Sequence, residues 1–262
     1  MPAATNGSWY DLPQYYDLAF RDGVRREARF IQEAARRYCD FPVTRMLEPA
    51  CGTGRLLRVL ARRGYDMVGL DLNRSALDFL AAFLKRNRLK AELIEGDMAA
   101  FTLERPVDLA FNTLNGFRHL LTEEEAVSHL CCVGEALRPG GLYILGMHLW
   151  PPDADEAIVE RWKVKQGDIT LSVRIDVPEF NLHRRIEQMR VEMKAKNGHG
   201  RARRYLDQFP LRTYDAAQTR RLLDQAPQFE LINVFDFWYD IEDPLELNDE
   251  IEDTVLVLRK PP

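Results

Sequence analysis

Short apolar runs alternate with helical segments through the first half of this 262-residue chain. One run precedes residue 48, and the others cover residues 65–71, 91–98, 107–112 and 142–149. Strands that are buried on both faces are continuously apolar, and parallel strands need crossover connections such as helices between them. The alternation therefore predicts a parallel sheet that is covered by helices on both faces.

The segments between these runs carry helix signals. Leu77, Leu80 and Leu84 recur at helical spacing, and Thr122 followed by Glu125 is a capping-box signature that starts a later helix. Loops after successive parallel strands meet at the carboxyl edge of a sheet, where open α/β sheets bind their ligands. We therefore expect the functional residues at the ends of the strands.

Residues 47–55 read Leu-Glu-Pro-Ala-Cys-Gly-Thr-Gly-Arg and connect the first predicted strand to a helix. Ala50, Gly52 and Gly54 are small at the positions where a nucleotide-binding turn bends sharply and lies against its ligand. The same pattern also occurs in tight connections without a ligand. The residues around this turn must therefore decide what it binds.

Three of those residues favour one cofactor. A dinucleotide fingerprint needs a third glycine where this chain has Leu57. Glu48, an acid before the turn, favours a ligand with positive charge over an anionic pyrophosphate. Asp71 ends the second strand roughly 20 residues beyond the glycines, where a carboxylate can accept both ribose hydroxyls. This combination predicts S-adenosylmethionine.

With these residues in place, the chain resembles the class I S-adenosylmethionine-dependent methyltransferases, in their small-molecule branch with glycine and amino-sugar N-methyltransferases. The resemblance runs from about residue 38 to residue 149 and resumes near the C-terminus. It rests on the 48–54 turn, Asp71, residues 96–98, the strand at 108–112 and the Arg-Pro-Gly-Gly motif at 138–141. It implies a Rossmann-like, seven-stranded, mostly parallel sheet whose last strand is antiparallel, with residues 229–239 and 254–259 as its last two strands.

The resemblance also implies the cofactor contacts. Backbone around residues 50–54 would meet the methionine moiety, Asp71 would hold the ribose, and Asp97 with Met98 would frame the adenine. Ala50 departs from the glycine that is commoner in the family. The complete set expected to bind the cofactor is Tyr16, Glu48, Ala50, Gly52, Gly54, Asp71, Leu72, Asp97, Met98 and Asn112.

Tyr16 enters this set because Tyr15-Tyr16-Asp17 resembles a Tyr-Asp segment that folds over the cofactor in small-molecule members of the family. The alternative is that these aromatic residues only attach the first helix to the core. We divide the chain into an N-terminal lid and helical segment (1–37) and a cofactor-binding core (38–150). A β insertion (151–210) and a C-terminal completion of the core (211–262) follow.

The insertion is predicted to be antiparallel. Residues 169–177 and 186–193 alternate with period two, and turns at 166–168 and 197–200 separate the runs. Inserts of this kind occur in small-molecule N- and O-methyltransferases, where they enclose the substrate or form subunit contacts. We therefore expect this insertion to stand beside the cofactor pocket and to offer a surface for a homodimer.

The loop after the fourth strand, residues 112–120, is where this fold brings acceptor and methyl group together. His119 is the residue of this loop that can act as a base near neutral pH, and amino-sugar N-methyltransferases carry a histidine in the same loop. The alternative is a histidine that caps the next helix or packs under the loop. His148 is a second candidate, whereas His129 falls inside a helix and is predicted to be structural.

The predicted activity is methyl transfer to a small-molecule N or O acceptor by direct in-line displacement, without a nucleophilic residue. The loop lacks the Asn-Pro-Pro-aromatic and Asp-Pro-Pro-aromatic motifs of nucleic-acid N-methyltransferases. The fourth strand ends in Asn112 where metal-dependent members need a carboxylate, so we expect no metal. The remaining alternatives are a non-catalytic scaffolding subunit that binds the cofactor and a nicotinamide-dependent oxidoreductase.

Composition restricts the partners. The net charge is −5 and basic residues are interspersed with acids, so we expect no nucleic acid. Arg201-Ala-Arg-Arg204 is the exception and is interpreted as a solvated strand face. There is no apolar run of roughly 20 residues and no signal-peptide core, which together with four unpaired cysteines predicts a cytoplasmic protein without membrane contact.

Overall fold

The computed structural model describes residues 5–151, 159–181, 183–198 and 200–262. The helices in these ranges are α1 (Pro13–Ala19), α2 (Val24–Tyr38), α3 (Arg55–Arg62), α4 (Arg74–Asn87), α5 (Glu123–Ala136) and α6 (Ala216–Asp224). The strands are β1 (Thr5–Asn6), β2 (Arg45–Pro49), β3 (Asp66–Asp71), β4 (Glu92–Glu95), β5 (Val107–Asn112), β6 (Leu137–His148), β7 (Val159–Gln166), β8 (Ile169–Asn181), β9 (Ile186–Asn197), β10 (Arg203–Arg212), β11 (Glu230–Phe235) and β12 (Asp253–Arg259).

Seven strands form one sheet in the order β11-β12-β6-β5-β2-β3-β4. Strands β6, β5, β2, β3 and β4 pair in parallel, whereas β12 is antiparallel to both of its neighbours. The prediction of a seven-stranded, mostly parallel sheet with an antiparallel last strand is therefore confirmed. Because β2 pairs with β3 on one side and β5 on the other, the strand order reverses at β2, and ligands bind at such reversals.

Helices cover both faces of this sheet, as predicted. Alternate strand residues point to opposite faces, so Met46 packs under α2, α3 and α4 while its neighbour Leu47 packs under α5 and α6. Strand β5 is buried along its whole length. The predicted capping box of Thr122 and Glu125 is present at the start of α5. This close packing on both faces leaves the carboxyl edge of the sheet as the side on which a ligand can bind.

The insertion forms a second sheet in the order β1-β10-β9-β8-β7. Strands β7 to β10 are antiparallel, as predicted, and the short β1 adds in parallel to β10. The turn predicted at 197–200 includes His199, which lies outside the described residues. One face of the sheet is apolar and packs on the N-terminal segment through Val173, Met193 and Trp9. The division of the chain into four segments remains a prediction.

The N-terminal segment, residues 9–19, is fastened to both sheets. The Trp9 backbone N–H donates to Asp207 Oδ2 of β10 at 2.9 Å, and the Asn73 side chain of the core donates to Asp11 Oδ1 at 2.8 Å. Asp17 also pairs with Arg58 of α3. The segment therefore bridges the insertion and the carboxyl edge of the core. No helix in the described ranges is both long and apolar enough to cross a membrane.

Candidate active site

The turn after β2 is built from left-handed backbone. Ala50, Gly52 and Gly54 have φ angles of 51°, 52° and 68°. A Cβ on Gly54 would lie 2.6 Å from a methyl group of Leu80, so both conformation and packing require glycine there. Ala50 tolerates a conformation that costs a side chain roughly 1–2 kcal/mol, which explains why glycine is the commoner choice at this position. The chain is thus bent sharply at the point where β2 gives way to α3.

Asp71 at the end of β3 closes this turn. Its Oδ2 accepts the Gly52 N–H at 2.6 Å, and its Oδ1 accepts the Asn73 N–H at 2.7 Å. A Cβ on Gly52 would point toward Asp71 Oδ2, 4.0 Å away, so the glycine keeps the space before the carboxylate open. Burial raises the pKa of Asp71, and the amides of Asn73 and Gly52 oppose this increase. The structure therefore brings the predicted ribose carboxylate against the predicted cofactor turn.

Glu48, the acid before the turn, is 7% exposed. Its Oε2 accepts the Leu57 N–H at 3.0 Å and so caps the first turn of α3. Burial raises the pKa of this carboxyl to about 8; the Arg55 guanidinium opposes the increase and the Glu27 carboxylate adds to it. Glu48 is therefore poised to ionise when a cation arrives nearby.

A buried network beside Glu48 was missed by the sequence reasoning. Glu27 of α2 forms a two-pronged ion pair with Arg55, whose nitrogens lie 2.5 and 2.7 Å from its oxygens. The Thr113 hydroxyl also donates to Glu27, and the Tyr239 hydroxyl donates to the Thr113 carbonyl at 3.1 Å. One signal could have revealed it: Glu27 lies one helical turn before Ile31, on the apolar stripe of α2, where an unpaired acid is unexpected.

The predicted adenine-binding residues lie around the end of β4, next to β3. Leu72 follows Asp71 directly and is 68% exposed, so it offers an apolar surface beside the carboxylate. Asp97 is exposed and accepts the Ala99 N–H at 2.8 Å. Met98 is buried, and its carbonyl lies 2.8 Å from His129 Nδ1. His129 in turn bonds the Tyr143 hydroxyl at 2.7 Å, a buried and structural arrangement.

Tyr16 lies in an aromatic cluster above the turn. Its ring centroid is 5.4 Å from that of Tyr10. Burial raises the pKa of Tyr16 to about 12; Arg55 opposes this increase, whereas Asp71 and Glu48 add to it. The same N-terminal segment contacts the turn, since the Thr53 hydroxyl donates to Asp17 Oδ1 at 3.5 Å. The N-terminal segment therefore lies beside the predicted cofactor turn.

His119 lies on the opposite side of the same aromatic cluster. Its Nε2 is 3.0 Å from the Tyr10 hydroxyl, and its ring stacks on Phe209 of β10 with centroids 5.5 Å apart. Partial enclosure by these rings, together with the charge of Arg118, lowers the pKa of His119, although the ring keeps accessible surface. The imidazole is therefore neutral at neutral pH and can accept a proton.

Asn112 has a structural contact in addition to its predicted role. Its side-chain amide donates to the Pro49 carbonyl at 3.3 Å and so ties the ends of β5 and β2 together. A Cβ on Gly116 would lie 2.7 Å from this amide, which explains the glycine that begins the next turn. His148, the second histidine candidate, instead bonds Asp253 at 2.6 Å.

Arg118 was also missed by the sequence reasoning. It is 4% exposed, and it pairs with Glu187 of β9 and donates to the Arg212 carbonyl at 2.9 Å. These contacts attach the loop to the insertion, and the same loop carries His119. They involve residues about 70 and 90 positions apart in the chain, so no local pattern announces them.

Two open depressions lie elsewhere on the surface. One is bounded by α2 and residues 240–242, and the other by the end of α2, residues 39–43 and Tyr65. Both lie away from the turn and from Asp71. The chemistry of the carboxyl edge, rather than the shape of these depressions, therefore marks the candidate site.

Comparison with known proteins agrees with this geometry. Residues 46–141, which include the turn, Asp71 and the 112–120 loop, match the methyltransferase domain family. The matched segment is 96 residues of the 262 and is similar to that domain family. The core of this domain, from β2 to the start of β6, is the part of the fold that supplies most of the predicted cofactor residues.

Two curated relatives are N,N-dimethyltransferases. The chain is 30% identical to the dTDP-3-amino-3,4,6-trideoxy-alpha-D-glucopyranose N,N-dimethyltransferase of Streptomyces venezuelae, over 45% of this chain and 46% of the relative. It is 27% identical to the dTDP-3-amino-3,6-dideoxy-alpha-D-glucopyranose N,N-dimethyltransferase of Streptomyces fradiae, over 62% of this chain and 63% of the relative. The chain thus spans less than two thirds of the length of the curated relatives it matches.

Solved structures extend the likeness in fold beyond the methyltransferase domain. An S-adenosylmethionine-dependent methyltransferase from Clostridium acetobutylicum has a TM-score of 0.78 at 16% identity, covering 97% of this chain and 99% of its own. The sugar N-methyltransferase from Streptoalloteichus has a TM-score of 0.74 at 17% identity, with coverages of 98% and 95%. Because these likenesses cover nearly the whole chain, the insertion belongs to the shared fold.

Proposed function

We propose that this protein is an S-adenosylmethionine-dependent methyltransferase that transfers a methyl group to a small-molecule N or O acceptor. One observation carries the proposal: Asp71 holds the left-handed turn at the reversal of strand order, with open space before its carboxylate and the exposed Leu72 beside it. This combines a hydrogen-bonding acid for a ribose with an apolar surface for a flat base. The methyltransferase domain supports the same conclusion.

The residues present fit the cofactor. Asp71 would bind the ribose hydroxyls, and Leu72 with Asp97 and Met98 would border the adenine. Glu48 would be the negative partner of a cationic ligand, and the backbone at 50–54 would meet the methionine moiety. When bound, S-adenosylmethionine supplies a methyl group that is already activated by the sulfonium, so no residue of the chain has to act as a nucleophile.

The acceptor side is proposed to bind a small amine, such as an amino sugar. Two relatives named as amino-sugar N,N-dimethyltransferases support this acceptor class. An attacking amine must be uncharged, and the methylated ammonium must lose a proton. His119 is neutral and lies beside Tyr10, so it can accept that proton.

The binding test uses isothermal titration calorimetry with S-adenosylmethionine, S-adenosylhomocysteine and NAD⁺. We expect both adenosyl ligands to bind and NAD⁺ not to bind. Asp71→Asn should lower the affinity for S-adenosylmethionine roughly 10- to 100-fold, as expected for the loss of hydrogen bonds to a charged group. Asp78→Asn, a substitution at an exposed position, should leave this affinity unchanged. Selective binding of NAD⁺ would instead establish the oxidoreductase alternative.

The activity test incubates the protein with S-adenosylmethionine and a panel of nucleotide-linked amino sugars, and detects methylated product by mass spectrometry. His119→Gln should lower the rate without changing cofactor affinity. An unchanged rate for His119→Gln at every pH would remove His119 from catalysis. Tight cofactor binding without turnover of amines or hydroxyl acceptors would favour the scaffolding alternative.

We further propose a homodimer that uses the β insertion, and a cytoplasmic location. The insertion supports the first because one of its faces is left uncovered by the N-terminal segment. The cysteines, which are free thiols, support the second because reduced thiols are usual in that compartment. Sedimentation of the purified protein and fractionation of cells test the two statements separately.

A further inference from the structure

The outward face of the insertion sheet is dominated by cations. Residues directly opposite each other on antiparallel strands share a face, and the register of β7 to β10 gives four such rows before the bulge in β8. Their cations are Arg161, Lys163, Lys165, Arg174, Arg190, Lys194, Lys196 and Arg204, and their carboxylates are Asp176 and Glu192. We call these rows the basic face.

The two carboxylates lie beneath the cations. The side chains of Asp176 and Glu192 are 9% and 19% exposed, whereas Lys194 is 58% exposed. Asp176 pairs with Arg174 and Arg190, so each acid is covered by the groups it neutralises. An approaching partner therefore meets ammonium and guanidinium groups. In the linear sequence these cations alternate with apolar residues, so their concentration arises only when the strands pair.

A complementary surface lies in the connection between β11 and β12. Residues 236–253, which are this connection and the first residue of β12, contain nine carboxylates and no lysine or arginine. Within the described ranges, the ion pair of this acidic segment is Glu242 with Arg37, and Asp253 bonds the His148 side chain. Its other acids include the exposed residues Asp243, Glu246, Asp249, Glu250 and Glu252. The protein thus carries a strongly positive and a strongly negative surface.

These two surfaces do not pair within one chain: among the described residues, no ion pair joins the basic face to the acidic segment. A dimer formed by stacking two basic faces would place like charges together, which opposes association. We propose that the acidic segment of one copy docks on the basic face of a second copy. In a twofold dimer this contact would form twice.

A second copy fits better than other anionic partners. The neutral members of the basic face include Thr170, Ser172 and Gln208, and none is an aromatic residue on which nucleic-acid bases could stack. A second copy carries the complementary charge at a defined segment. This inference rests on the proposed homodimer and is independent of methyl transfer.

The test compares charge-reversal variants by sedimentation velocity at 0.1 M and 0.5 M NaCl. One variant reverses the basic face, one reverses the acidic segment, and a matched control reverses three cations at and just after the end of α4. The three variants are Lys163→Glu/Lys165→Glu/Lys196→Glu, Asp243→Lys/Glu246→Lys/Glu250→Lys and Lys85→Glu/Arg86→Glu/Lys90→Glu. All of these positions are exposed, and circular dichroism and thermal melts verify the fold of each variant.

We expect the wild type to dimerise at 0.1 M NaCl. The affinity of the dimer should fall at least tenfold at 0.5 M NaCl, because salt screens surface charges. Each of the first two variants should lose at least tenfold in affinity by itself. Their equimolar mixture should recover association, because each then presents the charge that the other needs. The α4 variant should behave as the wild type.

Three results would overturn the inference. They are a wild type that stays monomeric at low salt, a dimer that ignores salt and both reversals, and folded variants whose mixture does not associate. A monomeric wild type that binds anionic vesicles or oligonucleotides would identify another partner for the basic face. Cofactor titration of the same samples shows separately whether the proposed methyltransferase site is correct.

Discussion

Replacement of Glu48 by glutamine should stabilise the protein as the pH rises. The carboxyl has a pKa of about 8 in the folded protein, whereas an unfolded glutamate titrates near about 4.3. The folded state therefore holds a proton that the unfolded state releases between these values. At about 1.4 kcal/mol per pH unit, Glu48 alone removes about 3 kcal/mol of stability between pH 5 and pH 7.5. Glutamine keeps an acceptor for the Leu57 amide without the charge.

The assay is urea unfolding without cofactor at several pH values, for wild type and Glu48→Gln. The difference in unfolding free energy should shift in favour of the variant by about 3 kcal/mol from pH 5 to pH 7.5. Asp108→Asn is the control, because the pKa of Asp108 is shifted in the opposite direction from that of Glu48. Burial of Asp108 is outweighed by bonds from the Arg45 and Thr44 amides, which lower its pKa. Its ionised form is therefore stabilising throughout this range, and the variant should show a constant deficit.

A difference between Glu48→Gln and wild type that does not change with pH would refute the reasoning, since it would mean that the pKa of Glu48 is not raised in the folded protein. If that constant difference were a deficit of the variant, as expected for Asp108→Asn, Arg55 would outweigh burial. In that case the carboxylate would be part of the Glu27 network, and the expected coupling between Glu48 and a cationic ligand would be lost.

Three further predictions concern the proposed site. Affinity for S-adenosylmethionine, measured by calorimetry from pH 6.5 to pH 8, should rise by up to about tenfold per pH unit in wild type and stay flat in Glu48→Gln. Gly52→Ala should lower the affinity for the cofactor more than tenfold, as measured by calorimetry. The same substitution at Gly167, which has a similar φ and open space around it, should leave this affinity unchanged. Tyr10→Phe should raise the kinetic pKa of His119 by about half a unit, because the hydroxyl stabilises the neutral ring.

The parts of the fold that depend on local pattern could be predicted from the sequence. The apolar runs of β2, β3, β5 and β6 are buried on both faces, and this burial produces the pattern that identified them. The capping boxes of α5 and α6 are likewise local, since cap and partner lie three residues apart. The predicted third strand was longer than β4, a short strand at the sheet edge whose residues are partly exposed.

The contacts that complete the site could not be predicted in this way. Tyr10 meets His119 across 109 positions, and Glu27 meets Thr113 across 86. Such pairs depend on how the N-terminal segment and the insertion pack on the core, which no short motif encodes. The predicted roles of the cofactor residues and of His119 remain predictions, although Asp71, Gly52 and Glu48 lie together around one turn.

The attachment of the N-terminal segment to both sheets has a consequence for the order of binding. Asp11 and Asp17 of this segment bond Asn73 and Arg58 beside the proposed cofactor turn, while Tyr10 forms part of the proposed acceptor wall. A segment that swings away to admit the cofactor therefore also dismantles the place where the acceptor binds. Turnover should consequently follow a compulsory sequence, with the cofactor first to enter and its demethylated product last to leave, and product-inhibition kinetics should show competition between these two ligands alone.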